Sequence, residues 1–322
     1  ESVSVLKDAT ATAVYGVRGA NGVIIITTRK GDAGPPKISA TAYSGLVAPT
    51  MLPKFVDSYQ FAKYYNEATG TNSYDDFALQ AYKNGSDPDL YPNVDWMDAL
   101  FKDYSWNYRA NVNMSGGGSV ARYYVSLGYY GENGIYKTDN LNEYDSSITF
   151  DKFNFRSNID MNLSKTTTLS VNLANIYETK TIPGGDAGSI WSNAFTISPN
   201  AFPVKYSDGT LSAPPIGTAA HIHNPYNLLT QNGYRDHYWN TAQAIIGLNQ
   251  DFGFILPGLI FDIKFAWDSW SYNRLSYIGS ANTFHATGRD EEGNLIFDEV
   301  NYGTANLSYE RTTSGNQSRY LE

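Results

Sequence analysis

The chain has 322 residues and a net charge of −9 from 23 basic and 32 acidic side chains; that acidic balance argues against a nucleic-acid partner. It contains no cysteine, which excludes disulfides and thiolate metal sites. No apolar run approaches the roughly 18 residues of a membrane helix, yet 26 Tyr, 15 Phe and 6 Trp at only 17% charged residues point to a β-rich protein with large amphipathic faces.

The first stretch is ESVSVLKDATATAVYGVRGANGVIIITTRKG. It begins in mid-pattern and reads as a piece of something longer. Residues 5–15 are alanine-rich and predict a short helix or turn. Gly16, Gly19 and Gly22 follow, and residues 23–28 read as a buried strand. A dinucleotide loop follows a strand and opens a helix, whose N-terminus then faces the phosphates. Here that order is reversed, and no Gly-Lys-Ser/Thr follows. The glycines therefore predict tight turns ahead of a core strand.

Residues 38–45 alternate weakly. In the long link after them, Asp57 or Ser58 can cap a helix whose face is Phe61, Tyr64, Tyr65 and Ala68. Asp95 can cap a second helix, with Met97, Leu100 and Phe101 inward. Alternation then becomes strong. Tyr108, Ala110, Val112 and Met114 oppose Arg109, Asn111 and Asn113. After the short link 115–119, Tyr123, Val125, Leu127 and Tyr129 oppose Tyr124, Ser126 and Gly128. A link over 131–152 leads to the clearest segment, FNFRSNIDMNLS. There Phe153, Phe155, Ile159, Met161 and Leu163 share one parity, and Asn154, Arg156, Asn158, Asp160 and Asn162 the other. Such a strand has one greasy and one polar face.

The short link 164–166 precedes Leu169, Val171 and Leu173, which oppose Thr168, Ser170 and Asn172. A long link over 179–240 follows. Then Ala244, Ile246, Leu248 and Phe252 oppose Gln243, Gly247, Asn249 and Asp251. Past the short link 253–258, Leu259, Phe261, Ile263, Phe265 and Trp267 oppose Asp262, Lys264 and Asp268. A last long link reaches 305, and 306–312 is a weaker strand. The total is about eight strands, most near the 9–11 residues that cross a bilayer at a tilt. Long and short links alternate strictly, as they do in transmembrane β-barrels with short periplasmic turns and long external loops.

Other chemistry is thinner. Residues 290–294, Asp-Glu-Glu-Gly-Asn, faintly resemble a calcium loop, but the glycine comes too early and a hairpin turn fits better. Residues 207–210 likewise read as a turn. His221 and His223 could clip a metal but have no third ligand nearby. No Gly-x-Ser-x-Gly elbow occurs, and no catalytic residue, metal or cofactor is predicted. Trp191, Tyr234, Tyr238 and Trp239, placed in loops, could stack on sugars or pack the loops together.

Several stretches now resemble a known family. SVLKDA followed by YGVRGANGVIIITT is similar to the end of the plug domain in SusC/RagA-type TonB-dependent transporters. NVDWMDALF, YYVSLGYYGENGIYK and FNFRSNIDMNLS resemble later landmarks in the same order. Val17 departs from a position usually small and polar, and the link 139–151 is longer than usual. The resemblance implies an all-β fold: the end of a plug domain (1–36), then the first part of a transmembrane antiparallel β-barrel (37–322) with short helices in external loops. It implies import of glycans or peptides across the outer membrane, with a SusD-like surface lipoprotein and TonB as partners. Gly16, Arg18, Gly19, Asn21 and Gly22 become a structural turn of the plug. Arg18 is expected either to meet a carboxylate of the barrel wall (Asp160, Asp251, Asp262 or Asp268) or to bond only nearby backbone. Two rival readings are a soluble extracellular carbohydrate-binding β protein and a β-rich glycoside hydrolase.

Overall fold

The computed structural model describes residues 2–7, 22–138, 144, 146–304 and 306–321. Eight strands form one antiparallel sheet: β3 (Gly34–Val47), β4 (Ser105–Gly117), β5 (Ala121–Asn133), β6 (Thr149–Asn162), β7 (Thr167–Pro183), β8 (Gly233–Asp251), β9 (Ile260–Ile278) and β12 (Ser308–Leu321). Each pairs with its sequence neighbour, and β12 pairs with β9. The sheet is open, with β3 and β12 at its edges. Every predicted strand is present, and most are longer than expected. β8 and β9 run for 19 residues each, past the span a bilayer requires.

Register makes the faces continuous. Ala110, Tyr129, Phe153 and Tyr177 are successive cross-strand partners, as are Asn113, Ser126, Arg156 and Ala174. Antiparallel partners share a face, so eight separate alternations merge into one apolar and one polar surface. The apolar surface is bare: Val112, Leu127, Phe153, Ile246 and Phe265 are all exposed.

A separate two-stranded sheet joins β1 (Ser2–Leu6) to β2 (Val23–Thr27). Here two expectations are corrected. Val5 and Leu6 belong to a strand, not to a helix or turn, because they pair with Ile24 and Val23. The strand over 23–28 is not buried within this chain: Ile24 is 66% and Ile26 68% exposed, since a two-stranded ribbon covers neither of its faces. Gly22 has φ of 90°, a left-handed turn conformation that favours glycine. Gly16, Arg18, Gly19 and Asn21 lie outside the described residues.

The links on one side of the sheet are short: 118–120, 163–166 and 252–259. Those on the other side are long and structured. The link 48–104 carries α1 (Ser58–Thr69), α2 (Asp76–Asn84) and α3 (Trp96–Leu100). The link 184–232 carries α4 (Ala187–Thr196) and α5 (Pro225–Thr230). The link 279–307 carries the hairpin of β10 (Thr283–Arg289) and β11 (Leu295–Asn301). Its turn is closed by Asp290, which accepts from the Glu292 and Asn294 backbone amides at 3.0 and 2.7 Å, so the calcium-like stretch is a hairpin turn. Asp57 caps α1, accepting from Gln60 N at 2.7 Å, and Asp95 caps α3. The inward face of α1 is corrected. It is Ser58 and Ala62 that are buried, while Tyr64, Tyr65 and Ala68 stay exposed. The Ser58 hydroxyl donates to the Pro92 carbonyl at 2.8 Å, and this bond turns the small side of the helix inward.

The buried core belongs to the long links. Trp96, Met97, Leu100, Phe101, Tyr136, Ile190, Phe202 and Leu229 form one cluster. Each fully buried side chain of this size stabilises by about 1.5–3 kcal/mol. The cluster ties three segments distant in sequence into one cap at the long-link end of the sheet.

Candidate functional site

The polar face holds the segment that leaves β2. Asn158 donates to the Thr28 hydroxyl at 3.0 Å and to the Arg29 carbonyl at 2.6 Å. Lys30 pairs with Asp160 at 3.1 Å. Gly31 is buried against β5, where an added Cβ would lie 2.3 Å from the Tyr123 carbonyl oxygen. Only a residue without a side chain permits that approach. Alternation fixed Asn158 and Asp160 on the polar face, and the fold shows what they hold.

Of the four carboxylates considered for Arg18, Asp160 is engaged by Lys30. Asp262 is engaged by Lys264 at 3.1 Å and by Asn249. Asp268 accepts from Gln243 at 3.2 Å, and Asp251 caps its own turn at Gly253. Arg18 itself lies outside the described residues.

Nearer the cap, the polar face becomes aromatic and charged. Trp239, His237 and Tyr272 stack on one another with centroids 5.4–5.9 Å apart, and His237 Nδ1 lies 2.9 Å from the Tyr272 hydroxyl. Lys152 pairs with Glu178 at 2.7 Å, and Arg274 bonds Glu310 and Thr312 at 3.4 and 3.0 Å. Rings flanked by donors and acceptors suit a solute rich in hydroxyl or amide groups. The buried Nε2 of His237 and Nε of Arg274 have no protein partner among the described residues, which leaves this face two free hydrogen-bonding atoms.

The four predicted contact aromatics divide. Tyr234, Tyr238 and Trp239 lie in β8, not in a loop. Tyr238 and Tyr234 fall on the same parity as Ile246, the apolar face; Trp239 falls on the polar one. Tyr234 stacks between Tyr144 and Tyr277, with centroids at 5.6 and 5.0 Å. Trp191 sits on α4 against Phe101 at 4.8 Å and Phe195 at 5.6 Å, so it packs the cap together. The signal missed in the sequence was the extension of β8. Above its apolar stretch, both parities turn polar or aromatic and the alternation disappears.

A second group joins three of the long links. Arg289 of the hairpin makes two bonds of 2.8 Å to Asp87 and a third of 2.8 Å to Asp89. Asp89 is buried and also accepts from the Ser207 backbone and hydroxyl, at 2.8 and 2.7 Å. The Arg289 fork holds the Asp87 carboxyl below the usual carboxylate range, as charge-assisted bonds to the ionised form do. Links 184–232 and 279–307 together line a cavity of about 500 Å³. His223 lies at its edge. No cluster of three or more His, Asp or Glu able to hold a metal occurs among the described residues.

On the apolar face, rings gather at the end nearest the cap. Trp106 and Tyr108 stack at 6.5 Å, Tyr129 packs on Phe153 at 5.1 Å, and Tyr177 is the cross-strand partner of Phe153. No helix among the described residues is long and apolar enough to cross a membrane.

No protein-family model matches the chain. It is 35% identical over 167 residues to TonB-dependent receptor P26 of Formosa agariphila, covering 51% of the chain and 15% of that protein. With TonB-dependent receptor P3 of the same organism it shares 29% identity over 269 residues, 79% of the chain and 24% of the relative. With TonB-dependent receptor SusC of Bacteroides thetaiotaomicron it shares 35% identity over 166 residues, 51% of the chain and 15% of SusC. The chain thus spans under a quarter of these relatives. Its fold resembles the RagAB peptide importer in the "open-open" state, with TM-score 0.65 and 17% identity over 100% of this chain and 43% of that one. The "closed-closed" state gives 0.61 and 20% over 87% and 33%. An open eight-stranded antiparallel sheet with one bare apolar face is what an arc of such a barrel looks like, and the chain is similar in sequence to segments of SusC-type TonB-dependent receptors and in fold to the RagAB importer.

Proposed function

We propose that this chain forms the end of the plug (residues 1–36) and the first arc of the barrel wall (37–322) of an outer-membrane importer. TonB drives it, a SusD-like surface lipoprotein works with it, and its cargo is a glycan or a peptide. One observation carries the reading. The polar face grips the segment 28–31 through Asn158, Asp160 and Gly31, while the opposite face presents bare aliphatic and aromatic side chains. A wall with a plug inside and lipid outside requires that arrangement. A soluble lectin or hydrolase would leave an apolar sheet face of this extent in water, which favours association. The short links then lie on the periplasmic side and the cap outside the cell. Trp239, His237 and Tyr272 become cargo contacts from the lumen. Tyr238 and Tyr234 belong to the outer surface, and Trp191 supports the cap.

The test is genetic and energetic. The gene encoding the full protein is deleted in its host, and uptake of fluorescent oligosaccharides and oligopeptides is followed with and without a protonophore. Loss of protonophore-sensitive uptake of one class supports the reading. Unchanged uptake of both, with the protein of the parent strain recovered in the soluble fraction, overturns it.

A further inference from the structure

On the apolar parity, above the bare band, lies a recess of about 570 Å³, bordered also by Trp239 of the opposite parity. Its lining includes Asn175 and Tyr177 of β7, Tyr238 and Asn240 of β8, Asn273 of β9 and Arg311 of β12. Register places every one of these on the face that carries Leu173, Ile246 and Phe265, away from the plug segment. Arg311 donates to the Asn273 side-chain oxygen Oδ1 at 3.3 Å, and the Thr313 hydroxyl donates to the same oxygen at 3.0 Å. Asn175 donates to Asn240 at 2.8 Å. No carboxylate among the described residues forms an ion pair with Arg311.

A guanidinium held among the described residues by an amide oxygen, beside further amides and tyrosines at the rim of an apolar band, is matched to a particular kind of ligand. Its acyl chains would lie along Leu173 and Ile246. Its head would offer a phosphate to the guanidinium, which binds phosphate as a fork, and hydroxyls to the amides. Tyrosine rings at this level suit the boundary between chain and head. We infer that this recess binds the phosphorylated sugar headgroup of an outer-leaflet glycolipid, with Arg311 as its anion-binding residue. The inference rests on the outer-membrane reading, and the experiment separates the two.

The full transporter, purified in detergent, is incubated with bis-phosphorylated lipid A, dephosphorylated lipid A or phosphatidylglycerol, and retained lipid is counted by native mass spectrometry. Urea-washed membranes are assayed in parallel for integral insertion. The wild type should retain bis-phosphorylated lipid A at least tenfold over the other two. Arg311→Ala should abolish that preference, and Asn273→Asp, which supplies a competing carboxylate, should reduce it. Arg319→Ala, lower on the same face of β12, should not change it. Extraction of the wild-type protein by urea overturns the membrane reading itself. Insertion with no lipid A preference, or a preference that survives Arg311→Ala, overturns only the glycolipid site. So does a second copy of the chain cross-linking to the Arg311→Cys variant in place of lipid, or inorganic phosphate alone at millimolar levels displacing lipid A.

Discussion

Placing arginine at Val125 tests which face of the sheet meets lipid. Val125 lies on the apolar parity of β5, between Met114 and Ser157. It is four residues along the strand from Tyr129, whose ring marks the upper edge of the band. Four residues at about 3.4 Å each are about 14 Å of strand, and a strand tilted by about 40° descends about 10 Å over that length. The apolar band of an outer-membrane barrel is about 25 Å tall, so Val125 sits near its middle. Arginine there should cost about 2–4 kcal/mol, a loss of about a hundredfold in the folding equilibrium. Asn154→Arg on the opposite face, beside Gly128 and Ile176, should cost no more than about 0.5 kcal/mol. The assay refolds the full-length transporter into vesicles across a guanidinium series, reading the heat-dependent shift in gel mobility. Equal midpoints for the two variants would refute the assignment of faces, and a larger loss for Asn154→Arg would invert it.

Three further outcomes are expected. Gly31→Val should drive the plug segment off Tyr123 and raise leakage of small solutes through the assembled barrel; Lys30→Ala should do so only slightly, because an exposed ion pair contributes at most about 1 kcal/mol, and liposome swelling ranks the two. Arg289→Ala should raise hydrogen exchange around residues 87–91 and 205–210 together, and in the wild type the same loosening should appear only as pH falls below the ordinary carboxylate value of about 4: the folded-state pKa of Asp87 is depressed, so its contribution holds above that value and is lost as Asp87 protonates. Since the chain lacks cysteine, Lys165→Cys should resist an impermeant thiol reagent on whole cells while Asn282→Cys reacts, and the reverse pattern would turn the topology over.

The sequence by itself determined the wall. Side chains of a strand alternate with period two, so Phe153 to Leu163 separate an apolar from a polar face, and the spacing of such runs shows which links are long. Asp57 and Asp95 were legible as caps because a cap is a bond within three residues. The tertiary structure decided whatever depends on chain segments far apart. Lys30 meets Asp160 across 130 positions, and Arg289 meets Asp87 across 202; no local pattern encodes such a pairing. The same holds for the buried side of α1, which a bond from Ser58 to Pro92 set against the pattern of its aromatics. Tyr238 and Trp239 divide between two faces because β8 continues past the apolar band, where polar residues are stable on both sides and alternation carries no information. Hydrophobic periodicity reports the solvent on each side of a strand, so it falls silent where both sides are wet, and the recess around Arg311 and the ring stack at His237 both lie there.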